Sequence, residues 1–126
     1  MGKIAVVESD KAPGAVGPYS QALRGDGLIF VSGQIPLDPA GKSMPDDVAT
    51  QAKQSLNNVR AVLRAAGSDL DKVLKSTVFL ADIKDFPVVN EVYASFFQKP
   101  FPARSCVAVK DLPLGAKVEI EVIALE

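Results

Sequence analysis

The apolar and polar positions along the chain change period several times. Ile4 to Glu8 is a short β-prone run, ended by the breakers Ala12-Pro13-Gly14 and Gly17-Pro18. Tyr19 to Arg24 predicts a strand, Gly25-Asp26-Gly27 a tight turn, and Leu28 to Ser32 a second strand, so these segments read as a hairpin. Gly33 to Pro45 holds three prolines and reads as a loop. From Asp47 to Ala66 the period becomes helical, with Val48, Ala52, Leu56, Val59, Leu63 and Ala66 on one stripe. On that reading Gln51, Gln54, Asn58 and Arg60 face outward. Asp46 and Asp47 put negative charge at the helix start, and Gly67 suits its stop. Val73 to Ala81 is again β-rich. Asp85 is placed to cap a second helix running to Phe97, with Pro87 tolerated in its first turn. Arg104 to Val109, the turn Leu112-Pro113-Leu114-Gly115, and Lys117 to Leu125 close the chain.

The predicted order is β-β-β-α-β-α-β-β, an α+β pattern of about six strands and two helices. No repeat, low-complexity tract or linker interrupts residues 1–126, which read as one domain. Two helices can cover only one face of such a sheet. Yet Leu28-Ile29-Phe30-Val31 and Val78-Phe79-Leu80-Ala81 are apolar at successive positions, so both faces of those strands call for burial. A second copy of the chain is the simplest cover, and a homo-oligomer is expected.

Composition narrows the chemistry. With Lys+Arg 14 against Asp+Glu 15, the net charge is -1, and the basic residues are scattered without interleaved aromatics. Nothing here supports a nucleic-acid surface or attraction to anionic lipid. No segment reaches the roughly 18 apolar residues of a membrane span, and there is neither an apolar signal core nor an Arg-rich leader, so the cytoplasm is the expected location. One cysteine excludes an internal disulfide framework and a Cys-based zinc site. The absence of histidine removes the default general base, the commonest metal ligand and every Ser-His or Cys-His nucleophile pair. Arg, carboxylates, Tyr, Cys, Lys, backbone and water remain.

The segment Pro102-Ala103-Arg104-Ser105-Cys106-Val107-Ala108-Val109 is the richest in chemistry. Strand alternation puts Arg104 and Cys106 on one face, about 7 Å apart, and Ser105, Val107 and Val109 on the other, which reads as core. In the last strand Glu119 and Glu121 share a face opposite Val118, Ile120 and Val122. A hairpin through Leu112–Gly115 would bring Arg104 and these glutamates together on the non-core face. Arg104 then admits two readings: a bidentate grip on a small carboxylate, or an ion pair with Glu119 or Glu121. Cys106 reads as a small filler or a nucleophile. Tyr19 either aims its hydroxyl at a ligand or closes the core. Gly33, in Ser32-Gly33-Gln34-Ile35-Pro36, allows close backbone approach. Asn90 is an odd amide on a stripe of Phe86, Tyr93 and Phe97.

Five blocks, in order along essentially the whole chain, resemble the Rid/YjgF family, whose members have also been called translation inhibitors or liver perchloric-acid-soluble proteins. They are Gly17-Pro18-Tyr19-Ser20-Gln21, Ser32-Gly33-Gln34-Ile35-Pro36, Gln54-Ser55-Leu56-Asn57-Asn58-Val59, Pro102-Ala103-Arg104-Ser105-Cys106-Val107 and Leu112-Pro113-Leu114-Gly115-Ala116-Lys117-Val118-Glu119-Ile120-Glu121. The resemblance implies a chorismate-mutase-like fold, a homotrimer with clefts between subunits, and hydrolysis of reactive enamines and imines such as 2-aminoacrylate, 2-iminopropanoate and 2-iminobutanoate. The products are 2-keto acids and ammonia, and no cofactor or metal is implied. By resemblance, Arg104 grips the substrate carboxylate and Glu119 positions the attacking water. Tyr19, Asn90 and Cys106 match residues that line the cleft, and Ser32-Gly33 a neighbouring turn, all expected to bind substrate. An endoribonuclease and a non-catalytic or chaperone-like trimer binding small carboxylates are the rival expectations.

Overall fold

The structure is a computed structural model and describes residues 3–126. Its element order is β1 (Ala5–Val7), β2 (Ala22–Gly25), β3 (Leu28–Gln34), α1 (Val48–Ala65), β4 (Val73–Leu80), α2 (Phe86–Phe96), β5 (Ala103–Ala108) and β6 (Val118–Leu125), with short 3-10 turns before β4, α2 and β6. The strands form one sheet in the order β1-β2-β3-β6-β4-β5. Only β4 and β5 are parallel; the other pairs are antiparallel. The expected α+β order is therefore present.

Local chemistry explains most of the boundaries. Asp26 and Gly27 both take positive φ (51° and 80°), which gives the β2–β3 hairpin the turn whose twist matches its strands. Asp47 caps α1 by accepting the Thr50 amide at 2.9 Å. After its end Gly67 is left-handed (φ 83°), and the Ser68 amide returns to the Leu63 carbonyl at 2.9 Å. The strand expected from Tyr19 begins only at Ala22. The Tyr19 amide closes a turn onto the Gly17 carbonyl, and the Ser32 hydroxyl donates to the Ser20 carbonyl at 2.6 Å. Asp85 stands at the start of α2, as expected, but makes no side-chain cap; Asp82 instead caps the preceding 3-10 turn through the Lys84 amide.

The outward placement of Gln51 and Asn58 is corrected, since both are buried. Gln51 donates to the Pro45 carbonyl and accepts the Lys117 amide, each at 2.8 Å. Asn58 donates to the Ile35 and Leu37 carbonyls at 3.2 and 2.9 Å. These amides serve the proline-rich loop that crosses α1, whose backbone has no ladder of its own.

The connections β3-α1-β4 and β4-α2-β5 progress across the sheet in the same direction. Right-handed crossovers therefore lay both helices on one face. Ile29, Val31, Val78, Leu80, Val118, Ile120 and Val122 are buried beneath them. Among the described residues nothing covers the other face. Phe30 and Val107 are 47% and 43% exposed there, and Leu125 at its rim is 46% exposed.

The expected β5–β6 hairpin does not form. The long β6 inserts between β3 and β4, pairing on both sides, while β5 lies beyond β4 at the sheet edge. The α2 crossover makes β5 parallel to β4, so the Leu112–Gly115 turn carries the chain back over β4 instead of reversing it beside β5.

Candidate active site

Register decides where the candidate residues point. On β4 and β5, Ser76 pairs with Arg104 and Val78 with Cys106. Ser76 and Val78 lie on the helix-covered face, so Arg104 and Cys106 leave the sheet on that side, beside α2. This reverses the expectation that Arg104 shares the uncovered face while Ser105 and Val107 point to the core. Ser105 and Val107 are exposed. Glu119 pairs with Phe79 and Glu121 with Thr77, on the uncovered face. The arginine and the glutamates of one chain therefore project to opposite sides of the sheet.

Around Arg104 the partners are neutral. Its Nη1 donates to Asn90 Oδ1 at 2.8 Å, and its Cζ lies 4.8 Å from the Tyr93 ring centroid and 5.5 Å from that of Phe86. Among the described residues no carboxylate comes within 4.0 Å of the guanidinium. The ion-pair reading is thereby excluded within one chain, and most of the five N–H donors stay available. Cys106 lies beside it in a shallow hollow walled by Ile83, Phe86 and Pro87. Burial pushes the Cys106 thiol up, and the opposing influence of Arg104 is smaller, so the group is a neutral thiol at pH 7. That favours the filler reading over the nucleophile. Asn90 is explained as well: its carbonyl oxygen is the acceptor that holds the arginine. Phe86 and Tyr93 were missed as site residues, because aromatics at helical spacing carry the same signal as core packing.

A second group gathers on the uncovered face. Glu119 packs against Gly33 so closely that a Cβ there would lie 2.5 Å from Glu119 Oε2. Glycine is required at that position for the carboxylate to occupy its place. Burial raises the Glu119 pKa above 4.5, and the like charge of Glu121 adds to the rise. Glu121 itself is exposed, so of the two only Glu119 is nested against the Ser32-Gly33 segment. Tyr19, half exposed, borders a hollow with Ser20, Phe30 and Ser32, and its hydroxyl accepts the Val16 amide at 3.4 Å. The core-closing reading of Tyr19 does not hold.

One chain thus gathers two separate groups of candidate residues. Arg104, Asn90 and Cys106 come together beside α2, and Ser32, Gly33 and Glu119 come together on the open face, with Tyr19 at its border.

Comparison with known proteins places the chain. A family model described as Endoribonuclease L-PSP matches residues 9–126. The chain is 53% identical over 118 residues to the RutC family protein y4sK of Sinorhizobium fredii, covering 93% of this chain and 94% of that protein. It is 51% identical over 122 residues to the 2-iminobutanoate/2-iminopropanoate deaminase of Bos taurus, covering 96% of this chain and 89% of that protein. Among solved structures, E. coli TdcF with bound serine is similar at a TM-score of 0.93 and 46% identity, over 97% of this chain and 98% of that one. With the fold, the five sequence blocks and these matches in agreement, the chain belongs to the endoribonuclease L-PSP family, the Rid/YjgF family.

Proposed function

We propose that this protein hydrolyses small reactive 2-imino acids, such as 2-iminopropanoate and 2-iminobutanoate, to 2-keto acids and ammonia, in the cytoplasm and without a cofactor. The observation that carries the reading is Arg104: a guanidinium steadied by an amide and aromatic rings, with donors free and no carboxylate among the described residues to occupy them. A planar, permanently charged fork in such surroundings suits a bidentate bond to a substrate carboxylate. The Bos taurus relative is named for this activity, and the TdcF structure holds serine, itself a small carboxylate-bearing molecule.

The active assembly is a homotrimer whose clefts join the Arg104 half-site of one copy to the Glu119 half-site of the next. Support comes from the opposite directions of the two groups and from the apolar sheet face that the chain leaves bare. In the cleft, Arg104 fixes the carboxylate and Glu119 orients a water toward the electrophilic C2. The water oxygen bonds to C2, one of its protons passes to Glu119, and the imine nitrogen takes up a proton. Glu119, its pKa raised by burial, suits this exchange because it holds and releases a proton closer to neutrality than an ordinary glutamate. The carbinolamine then loses ammonia as its hydroxyl becomes the keto oxygen. The endoribonuclease reading draws on the family model's description and on solved structures titled putative endoribonucleases; the absence of histidine and the net charge of -1 favour the deaminase.

The test couples a threonine dehydratase to a keto-acid readout, with semicarbazide competing for the free imine. The protein is expected to protect the imine from trapping. Arg104→Ala should lower kcat/KM by roughly 30- to 3,000-fold, and Arg104→Lys, which keeps the charge without the fork, should also be poor. Near-wild-type turnover by Arg104→Ala overturns the assignment. Saturable keto-acid binding with no faster imine loss points to a non-catalytic binder.

A further inference from the structure

Ser76 is fully buried on the helix-covered face of the sheet, in the same row as Val78 and Leu80. A hydroxyl there costs free energy unless it is bonded, and its partner is the Tyr93 hydroxyl at 2.6 Å. An Ala–Phe pair would fill nearly the same space without that polarity. The bond therefore specifies an orientation rather than adding packing.

What it orients follows from the register. Ser76 is the cross-strand partner of Arg104, so both side chains leave the sheet side by side. Tyr93 reaches down from α2 between them. Its hydroxyl is tied to Ser76, its ring packs against Phe97 at a centroid distance of 4.5 Å, and its face receives the Arg104 guanidinium at 4.8 Å. Asn90, three residues earlier on α2, accepts from Nη1 at 2.8 Å. One hydrogen bond leaves a guanidinium free to swing about that contact; the tethered Tyr93 ring, nearer to it than the Phe86 ring at 5.5 Å, restricts the swing to a plane. Burial keeps the Tyr93 hydroxyl a neutral phenol, as this arrangement requires.

We infer that Tyr93, locked through its hydroxyl by Ser76, is a positioning residue that sets the plane of the Arg104 fork before substrate arrives. The use to which the aimed fork is put rests on the deaminase reading; the aiming itself does not. Two measurements separate them. The first is NMR of 15N-labelled protein, following rotation of the Arg104 guanidinium about its Nε–Cζ bond. Rotation is expected to be restricted in the wild type, faster in Tyr93→Phe and Ser76→Ala, and fastest in Tyr93→Leu. The second is steady-state kinetics on the imine. Tyr93→Leu should raise KM by roughly 5- to 30-fold with kcat changed little, and Tyr93→Phe and Ser76→Ala by about 2- to 5-fold. In an Arg104→Ala background these substitutions should have no further effect on kcat/KM. A purely structural tyrosine would instead lower thermal stability and active fraction with KM unchanged, and its effect would persist without Arg104. That pattern, or Arg104 rotation indifferent to Tyr93→Phe and Ser76→Ala, overturns the inference. Loosened rotation in a protein that hydrolyses no imine supports the positioning role and removes the deaminase reading. Because Tyr93→Phe and Ser76→Ala conserve shape, the test stands even if Tyr93→Leu does not fold.

Discussion

Glu119 owes its raised pKa first to burial against Gly33 and second to Glu121, its neighbour on the same strand face. In the proposed reaction it works as the ionised form, so activity falls as pH drops through its pKa. The acid limb should therefore lie above the 4.5 of an ordinary glutamate. Glu121→Gln removes a like charge that favours the protonated form. The limb of the kcat profile should move to lower pH, with turnover at neutral pH retained; an unmoved limb would separate Glu121 from the site electrostatics. Residue chemistry was partly open to reading from the sequence. A chain without histidine directs attention to Arg104 and Glu119, because few other groups can grip an anion or handle a proton. Tyr93 and Ser76 were not legible. A tyrosine on an aromatic helical stripe and a serine in a β-run look like packing until register places each beside Arg104.

Asn58 ties one element to another. Its side chain joins α1 to the loop after β3, donating to two carbonyls and accepting the Gln54 amide at 2.9 Å. Asn58→Ala leaves the part-buried Leu37 carbonyl without its donor, and the Ile35 carbonyl with the Leu37 amide alone, and should lower unfolding free energy by about 1–3 kcal/mol. Urea unfolding would register this as a lower midpoint at unchanged slope; an unchanged midpoint would mean that the loop carbonyls find water instead. Helical periodicity located α1 within a residue at each end, because its apolar stripe, Asp47 cap and Gly67 stop agree. Periodicity could not distinguish a polar residue facing water from one buried with dedicated partners, so Gln51 and Asn58 were misplaced. The β5–β6 pairing failed for a related reason. Alternation tells which residues share a face of one strand, whereas the strand order depends on crossovers that local pattern does not encode.

At the scale of the whole molecule, uncovered apolar sheet and divided chemistry lead to the same arrangement. Successive apolar positions in β3 and β4 already signalled a second face that calls for burial. The projection of Arg104 and Glu119 to opposite sides of the sheet became visible only with the strand order and register, in which β6 lies between β3 and β4. The most direct measurement mixes two impaired variants, Arg104→Ala and Glu119→Gln, after reversible dissociation of each. If every cleft takes its arginine from one copy and its carboxylate from another, random reassembly of equal amounts should restore about a quarter of wild-type sites. Imine hydrolysis should then rise well above that of either variant alone. A mixed assembly, verified by mass, that stays no more active than its parents would contradict the shared cleft.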